Sequence, residues 1–460
     1  MSDYGKGEYE DREWLMIIVI GAGPAGLAAA EATSRNGSDV ALIDSASRLG
    51  GQYWRHRSTV TGYRSNRADT LFSKVRGAAS ITYISEATVW SIEREGDLIR
   101  VNYLQGGSES SLTAEKLILA TGAYDRSLPF PGWDQPGSMT PGAAQALLKG
   151  HGVLVGQRVV VAGTGPFLLP VATGLAEAGA NVIGLYEAHS PMRWLLSPQA
   201  LLLNVSKFAE LIYYAGLIRK YRITPRFGRV VSRFDKGQVT ITSVSSTLAL
   251  KRNKSQTFKA DVVAVGWGFS PDLTLGGIMG CKERVDVDGT TIFDVDAEQL
   301  SSQKNVWIAG EATGIGGADL SLLEGEIAGL AASGQKISSL LRFARFRKQV
   351  FADALKRSYP VKDGWRSWAE KSTTICRCEE VSLGDIEESV VELGAEDSRT
   401  AKLFTRAGMG LCQGRICSRN VSEIVADLIN CSVTDEERIA SSNRPIAAPI
   451  ALGLLGDGKK

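Results

Sequence analysis

At 460 residues the chain is too long for a single hydrophobic core, so two or three domains are expected. Its 44% hydrophobic and 22% charged content is that of a soluble globular protein, and a net charge of +2 from 52 basic and 50 acidic residues gives no reason to expect nucleic acid or a membrane surface as a partner. No apolar run reaches the roughly 18 residues of a membrane span, and Met1–Arg12 is polar and acidic, without the apolar region of a secretory signal, which predicts a cytoplasmic protein.

The first informative stretch runs from Ile17 to Asp44. An apolar strand, Ile17-Ile18-Val19-Ile20, feeds the turn Gly21-Ala22-Gly23-Pro24-Ala25-Gly26, an Ala-rich helix follows to Arg35, and a second strand, Val40-Ala41-Leu42-Ile43, ends on Asp44. This is the pattern of a dinucleotide site. Gly21 permits the tight turn, Gly23 lets the backbone approach a pyrophosphate, Gly26 lets helix and strand pack closely, and Asp44 can bond a ribose hydroxyl. A helix N-terminus favours a nearby negative charge by roughly 0.3 to 1 kcal/mol, which seats the pyrophosphate. Shortly afterwards Gly50-Gly51-Gln52 would let the backbone pass close to a bound cofactor.

Short strands are expected over residues 80–120, the last being Lys116-Leu117-Ile118-Leu119 before the small-residue turn Ala120-Thr121-Gly122. That pattern fits a parallel sheet whose strand ends line a cofactor crevice. Prolines and glycines crowd residues 129–142, and a domain crossover is expected there. The opening pattern then repeats: strand Arg158–Ala162, turn Gly163-Thr164-Gly165-Pro166-Phe167-Leu168, helix to Ala178, strand Val182–Tyr186, and Glu187. A second Rossmann-like unit follows from the repeat, but Leu168 fills the third glycine slot and Pro170 adds nothing to binding, so the unit is expected to keep the fold without using NAD.

Leucines at helical spacing over 195–220 predict a core or interdomain helix. Asp261–Gly268 reads as a buried strand that closes the inserted unit. Asn305–Ala309 is another, ending on Gly310 and Glu311, where a flavin site would bond ribitol hydroxyls. A helix near Leu322–Ala332 follows Gly314, Gly316 and Gly317, with its N-terminus toward the flavin's carbonyl edge. Residues 341–371 are rich in arginine and lysine and read as a solvated helix and linker, or as a docking face for an acidic protein or a cofactor phosphate.

Residues 374–430 read as a helical module. Ser382 and Asp385 form a capping box before a helix that Gly394 ends, and further helices start near Ser398 and Ser418. Cys376 and Cys378 precede the first helix, and Cys412 and Cys417 precede the third, so four thiolates can converge from two loops. Such a set suits either an iron–sulfur cluster or tetrahedral zinc, and the Cys-x-Cys spacing argues mildly against zinc. Residues 433–460 form an apolar, proline-containing tail without period, expected to lie extended along a protein surface.

Over residues 15–335 the chain resembles the two-dinucleotide-domain flavoproteins related to glutathione and thioredoxin reductases. The resemblance implies an α/β fold: a discontinuous FAD domain over 1–130 and 270–340, interrupted by an NAD-binding-like domain over 131–269. It also implies FAD contacts from Gly21, Gly23, Pro24, Ala25, Gly26, Asp44, Gly50, Gly51, Gln52, Ala120, Thr121, Gly122, Gly310 and Glu311. Those reductases carry a redox cysteine pair beside the flavin. Here Cys281 is the only cysteine before Cys376, which argues against disulfide reduction.

Residues 372–432, with Cys-x-Cys-Glu and Cys-Gln-Gly-Arg-x-Cys, resemble the bacterioferritin-associated-ferredoxin [2Fe-2S] fold. That likeness assigns Cys376, Cys378, Cys412 and Cys417 to a [2Fe-2S] cluster. The order flavoprotein, basic segment, cluster module and apolar tail resembles the alpha subunits of heteromeric opine oxidases, hydroxyproline and proline dehydrogenases and hydrogen cyanide synthase. The family implies a beta subunit similar to D-amino-acid oxidase that oxidises the substrate C–N bond. It also implies that an FMN can sit between subunits and that a small ferredoxin-like gamma subunit can complete the assembly. Two alternatives remain at this point: a stand-alone NADH-dependent ferredoxin or dye reductase, and a non-enzymatic sensor or scaffold that retains FAD.

Overall fold

A computed structural model describes residues 16–55, 66–204 and 206–456; the polar stretch Met1–Arg12 lies outside them. In chain order the elements that build the first unit are β1 (Ile17–Ile20), α1 (Pro24–Arg35), β2 (Val40–Ile43), β3 (Ile81–Ile84) and β4 (Lys116–Leu119). The second unit contains β5 (Arg158–Gly163), α2 (Leu168–Glu177), β6 (Asn181–Glu187) and β7 (Val262–Gly266). The chain then returns to the first sheet with β8 (Val306–Ile308), followed by α3 (Ala318–Ala332) and α4 (Ser339–Ser358). The cysteine module contributes α5 (Leu383–Val391), α6 (Ser398–Thr405) and α7 (Ser418–Leu428).

The first sheet is parallel, in the order β8-β4-β1-β2-β3, with Val19 paired to Leu42 on one side and Ile118 on the other. Its central strands are apolar on both faces because both are covered, and each buried Val, Ile or Leu contributes about 1.5–3 kcal/mol. One face carries α1 and α3, which lie unusually close: a Cβ at Gly325 would stand 2.0 Å from the Ala25 carbonyl oxygen, and one at Gly329 2.4 Å from that of Ala29. A three-stranded antiparallel meander over residues 87–114 packs near the other face.

The second sheet repeats the arrangement, with Pro225–Phe227, β6, β5, β7 and Ser138–Met139 in that order. The crossing between the two units is a two-stranded ribbon in which Ala123–Asp125 pairs antiparallel with Phe269–Pro271. The crossing therefore precedes the Pro/Gly-rich run. That run instead folds against the second unit, where Gly132 lies so close to Phe234 that a Cβ would come within 1.7 Å of its carbonyl oxygen.

Three sequence expectations are corrected. The leucine-rich segment forms helices at Pro198–Leu203 and Ser206–Lys220, but Leu202 and Ile212 are 77% and 72% exposed, so the segment is not core. Periodicity specified the helix without saying what covers its apolar face. The basic stretch keeps its expected helix, α4, 20 residues long, but its cations are not simply solvated, since they pair with the chain's own acids: Arg342 with Glu298, Lys348 with Asp319 and Lys356 with Asp286. The tail is extended only in part. Asp435–Ala440 and Leu452–Gly456 are short helices, while Ala447 between them donates its N–H to the Trp90 carbonyl at 2.8 Å. No helix among the described residues is long and apolar enough to cross a membrane.

Candidate functional site

The nucleotide end of the site forms where β1 meets α1. Gly21 has φ +103°, and a Cβ there would meet the Ala120 carbonyl oxygen at 2.3 Å; a Cβ at Gly26 would stand 1.7 Å from the Gly21 carbonyl oxygen. Only glycine fits either position. Around Gly23 nothing lies within 4 Å of the place a Cβ would take, so the turn is open on the side a pyrophosphate would approach. Pro24 occupies the first helical position, where its missing N–H costs nothing, and Ala25 is buried behind it. No side chain caps this helix, so its N-terminal dipole is unspent.

Asp44 closes the other side, its carboxylate accepting the Ala22 and Ala46 N–H groups. Burial raises its pKa against those two bonds. Each oxygen keeps a lone pair for a ribose hydroxyl. Gly50 donates to the Ala22 carbonyl at 2.8 Å, and a Cβ at Gly51 would lie 2.8 Å from Gly23 Cα, which brings this glycine pair onto the same turn. Gln52 is exposed, and its side-chain carbonyl accepts from Arg55 Nε at 2.9 Å. At the end of β4, buried Ala120 leads to Thr121, whose hydroxyl donates to the Asp272 carbonyl at 2.6 Å, and to Gly122, open on its Cβ side.

The opposite end is built by β8 and α3. Gly310, at φ +83°, packs on Ala25, and Glu311 turns its carboxylate onto the start of α3. It accepts from Gly317 N at 2.8 Å, Gly316 N at 3.3 Å and Ser321 Oγ at 3.4 Å. Burial, joined by the nearby Glu324 charge, pushes its pKa up to about 7 against those bonds. The sequence reading missed Glu324, which is 2% exposed. One of its oxygens accepts Gly310 N at 3.1 Å and Thr313 Oγ1 at 3.2 Å; the other accepts Arg345 Nη2 at 3.0 Å and Nε at 3.2 Å. A lone acid in the otherwise apolar face of α3 was the available signal.

In the inserted unit, Glu187 repeats the device of Asp44. Its oxygens accept Gly165 N at 2.8 Å, Thr164 Oγ1 at 2.9 Å and His189 N at 3.0 Å, and burial raises its pKa to about 7. Leu168 is 3% exposed and packs with Val159, Val161 and Val171, so the third glycine slot is filled by core.

The four cysteines fall into two pairs. Cys376 and Cys417 are both 1% exposed and share a hydrogen bond, and the Gly408 N–H also points at Cys376 Sγ, 3.4 Å away. That sharing holds Cys376 at about 5 and drives Cys417 upward. Exposed Cys378 is hydrogen-bonded to half-buried Cys412. Gly410 is needed here, since a Cβ would stand 2.2 Å from Cys378 Cβ. Two neighbouring thiol pairs supply the four sulfur ligands that a two-iron cluster would need. Among the described residues no group of three or more His, Cys, Asp or Glu is placed to hold a single ion.

The module does not hang free. Trp133 Nε1 donates to the Thr374 carbonyl at 2.6 Å, Asn420 Nδ2 to the Ser127 carbonyl at 3.0 Å and Trp368 Nε1 to the Leu248 carbonyl at 2.8 Å. Ile375, Cys376, Cys417 and Ile424 belong to the same hydrophobic cluster as Phe130, Trp133 and Phe234 of the inserted unit.

A nucleotide cradle at the first strand ends and a four-cysteine module built into the same body define a flavin- and iron–sulfur-bearing oxidoreductase. The pyridine nucleotide-disulphide oxidoreductase family model matches residues 15–330 and the BFD-like [2Fe-2S] binding domain matches residues 374–427. The chain is 31% identical to the opine oxidase A subunit of Rhizobium meliloti, over 95% of this chain and 86% of that protein. It is 32% identical to hydrogen cyanide synthase subunit HcnB of Pseudomonas protegens, over 87% and 89%. L-proline dehydrogenase from P. horikoshii shares the fold, with a TM-score of 0.64 at 20% identity over 96% of this chain and 79% of that one. The chain belongs to the family of opine oxidase A and hydrogen cyanide synthase subunits, within the pyridine nucleotide-disulphide oxidoreductases. It is a flavin- and [2Fe-2S]-type oxidoreductase.

Proposed function

We propose that this chain relays electrons for a dehydrogenase or oxidase acting on the C–N bond of an amino acid, imino acid or opine. The substrate would be oxidised in a separate beta subunit resembling D-amino-acid oxidase, with an FMN at the subunit interface, a small ferredoxin-like gamma subunit completing the assembly, and the cytoplasm as its compartment. FAD accepts electrons in pairs and releases them singly, and a [2Fe-2S] cluster carries one at a time. In this reading Gly21, Gly23 and Gly26 with the start of α1 seat the pyrophosphate, and Pro24 and Ala25 shape that turn. Asp44 holds the ribose, while Gly50, Gly51, Gln52, Ala120, Thr121, Gly122, Gly310 and Glu311 line the remaining length. Cys376, Cys378, Cys412 and Cys417 hold the cluster.

The observation that carries the reading is the shared core of the cysteine module and the inserted unit, with Trp133 and Asn420 bonded across the seam. A fixed separation is what stepwise transfer inside one chain requires. Subunit-named relatives along nearly the whole length support the heteromeric assembly. So do the apolar side chains of Leu195, Leu196, Leu202 and Ile212, each more than two-thirds exposed.

In this reading the inserted unit takes no hydride. Rapid mixing of the purified chain with NADH, compared with anaerobic addition of opines, proline derivatives, glycine and sarcosine to the co-purified complex, tests both points. Flavin bleaching by the amino-acid substrates alone supports the relay. Bleaching by NADH at catalytic rates in the isolated chain would make it a stand-alone reductase.

A further inference from the structure

A cavity open to solvent lies where the crossing ribbon, the Cys412–Cys417 loop and the tail meet. Four arginines line it, Arg415, Arg419, Arg438 and Arg444, and no aspartate or glutamate does. Hydroxyls of Thr290, Thr291 and Ser418 stand among them. We propose that this cavity binds the phosphoryl group of a small phosphorylated molecule.

The charge balance around the walls argues for an anion. Arg419 and Arg438 converge on a single carboxylate, Glu423, at 3.0 and 3.4 Å, and a third guanidinium, Arg126, reaches the same oxygen at 3.6 Å from behind. Arg126 is 7% exposed, and its Nε has no hydrogen-bond partner. Arg415 and Arg444 bond only neutral groups among the described residues. Arg415 Nη2 donates to the Ala447 carbonyl at 2.6 Å and Thr274 Oγ1 at 3.0 Å, and its Nη1 to the Cys412 carbonyl and Gln413 Oε1, both at 3.3 Å; Arg444 donates to the Gln413 carbonyl at 2.9 Å and the Ser442 carbonyl at 2.7 Å. The other acids nearby are Glu283, which accepts from Ser442, and Asp272 and Asp288 at longer range. Five guanidiniums gathered at one seam repel one another, and a bound dianion relieves that repulsion.

The donor geometry favours phosphate. Guanidiniums from three separate segments surround one space, a donor type matched to a tetrahedral anion. Thr290 accepts from Arg419 Nη1, which leaves its own proton free to donate. The 11-residue helix α7 opens onto the cavity with no side-chain cap, and Ser418, Arg419 and Ser422 of its first turns form the wall. The loop carbonyls and Glu423 hold these arginines in place, so little side-chain entropy is lost on binding.

The test uses the full-length chain carrying both cofactors, verified by its visible spectrum, and therefore does not depend on the electron-relay reading. Inorganic phosphate and ribose 5-phosphate are titrated calorimetrically at low ionic strength against wild type and the Arg415→Gln/Arg444→Gln variant. The proposal expects saturable binding of both probes, tighter for the ester, weakened about tenfold or more in the variant. Tighter binding of free phosphate would assign the site to the inorganic anion and overturn the ester. In parallel, ribose 5-phosphate should slow phenylglyoxal modification of Arg415 and Arg444 in wild type several-fold while leaving Arg406 unchanged, a readout independent of the variant's folding. No saturable binding, or no selective protection, overturns the site.

Discussion

Arg345 places two nitrogens on one oxygen of the buried Glu324 carboxylate, while the other oxygen holds the Gly310 N–H. A surface helix is thereby tied to the backbone at the end of β8, where the site turns from strand to loop. Removing the guanidinium leaves Glu324 buried and unpaired, which costs about 3–5 kcal/mol when the carboxylate is ionised. Burial already raises the Glu324 pKa against its Arg345 contact, and loss of Arg345 raises it further. A group raised in the folded state stabilises below its unfolded pKa and loses that contribution as pH rises through the folded value. Arg345→Met should therefore show a Tm deficit that is small near pH 5 and grows toward pH 8. A deficit independent of pH would mean that packing, not charge, is what Arg345 supplies.

Glu187 makes a second pH-dependent prediction. Its pKa stands at about 7, against an ordinary value of 4.5, chiefly through burial. The stability it contributes is complete below about pH 4.5 and is lost as pH climbs through 7, a loss of roughly 3 kcal/mol at most. Thermal melts of Glu187→Gln between pH 5 and 8 should have a shallower pH slope than wild type, despite a lower overall Tm from the lost acceptor.

Helix packing supplies a third. With Gly325 against the Ala25 carbonyl, Gly325→Ala must push α3 off α1 and with it the turn proposed to seat the pyrophosphate. The expected cost is about 1–3 kcal/mol, accompanied by faster loss of FAD on dialysis. An unchanged flavin off-rate would show that the two helices do not share the cofactor's support.

The cysteines differ in what their loss should do. Cys378 is exposed, whereas Cys417 is buried in the core shared with Trp133 and Ile424. Both Cys378→Ser and Cys417→Ser should abolish the cluster's visible and electron-paramagnetic signals while FAD is retained. Only the second should also lower Tm substantially, because it places a hydroxyl in an apolar core.

What was legible in the chain were features fixed by local backbone demands. Gly21 and Gly26 cannot carry a side chain, and Ser382 with Asp385 forms the expected capping box at the start of α5. What was hidden depended on partners far along the chain. The density of arginine in α4 reads as a solvated segment until Glu298, Asp319, Glu324 and Asp286 are seen beneath it. Likewise, leucine spacing over 195–220 specifies helical structure but not whether the apolar side chains of Leu202 and Ile212 are covered by this chain. The arginine cavity was hidden for the same reason, since its walls come from residues 290, 419, 438 and 444.

Electron relay inside this protein requires FAD and a two-iron cluster in one chain, and chemical analysis of the purified protein measures that directly. The expected content is about one FAD, two irons and two acid-labile sulfides per chain. Zinc in place of iron, with no sulfide, would contradict it.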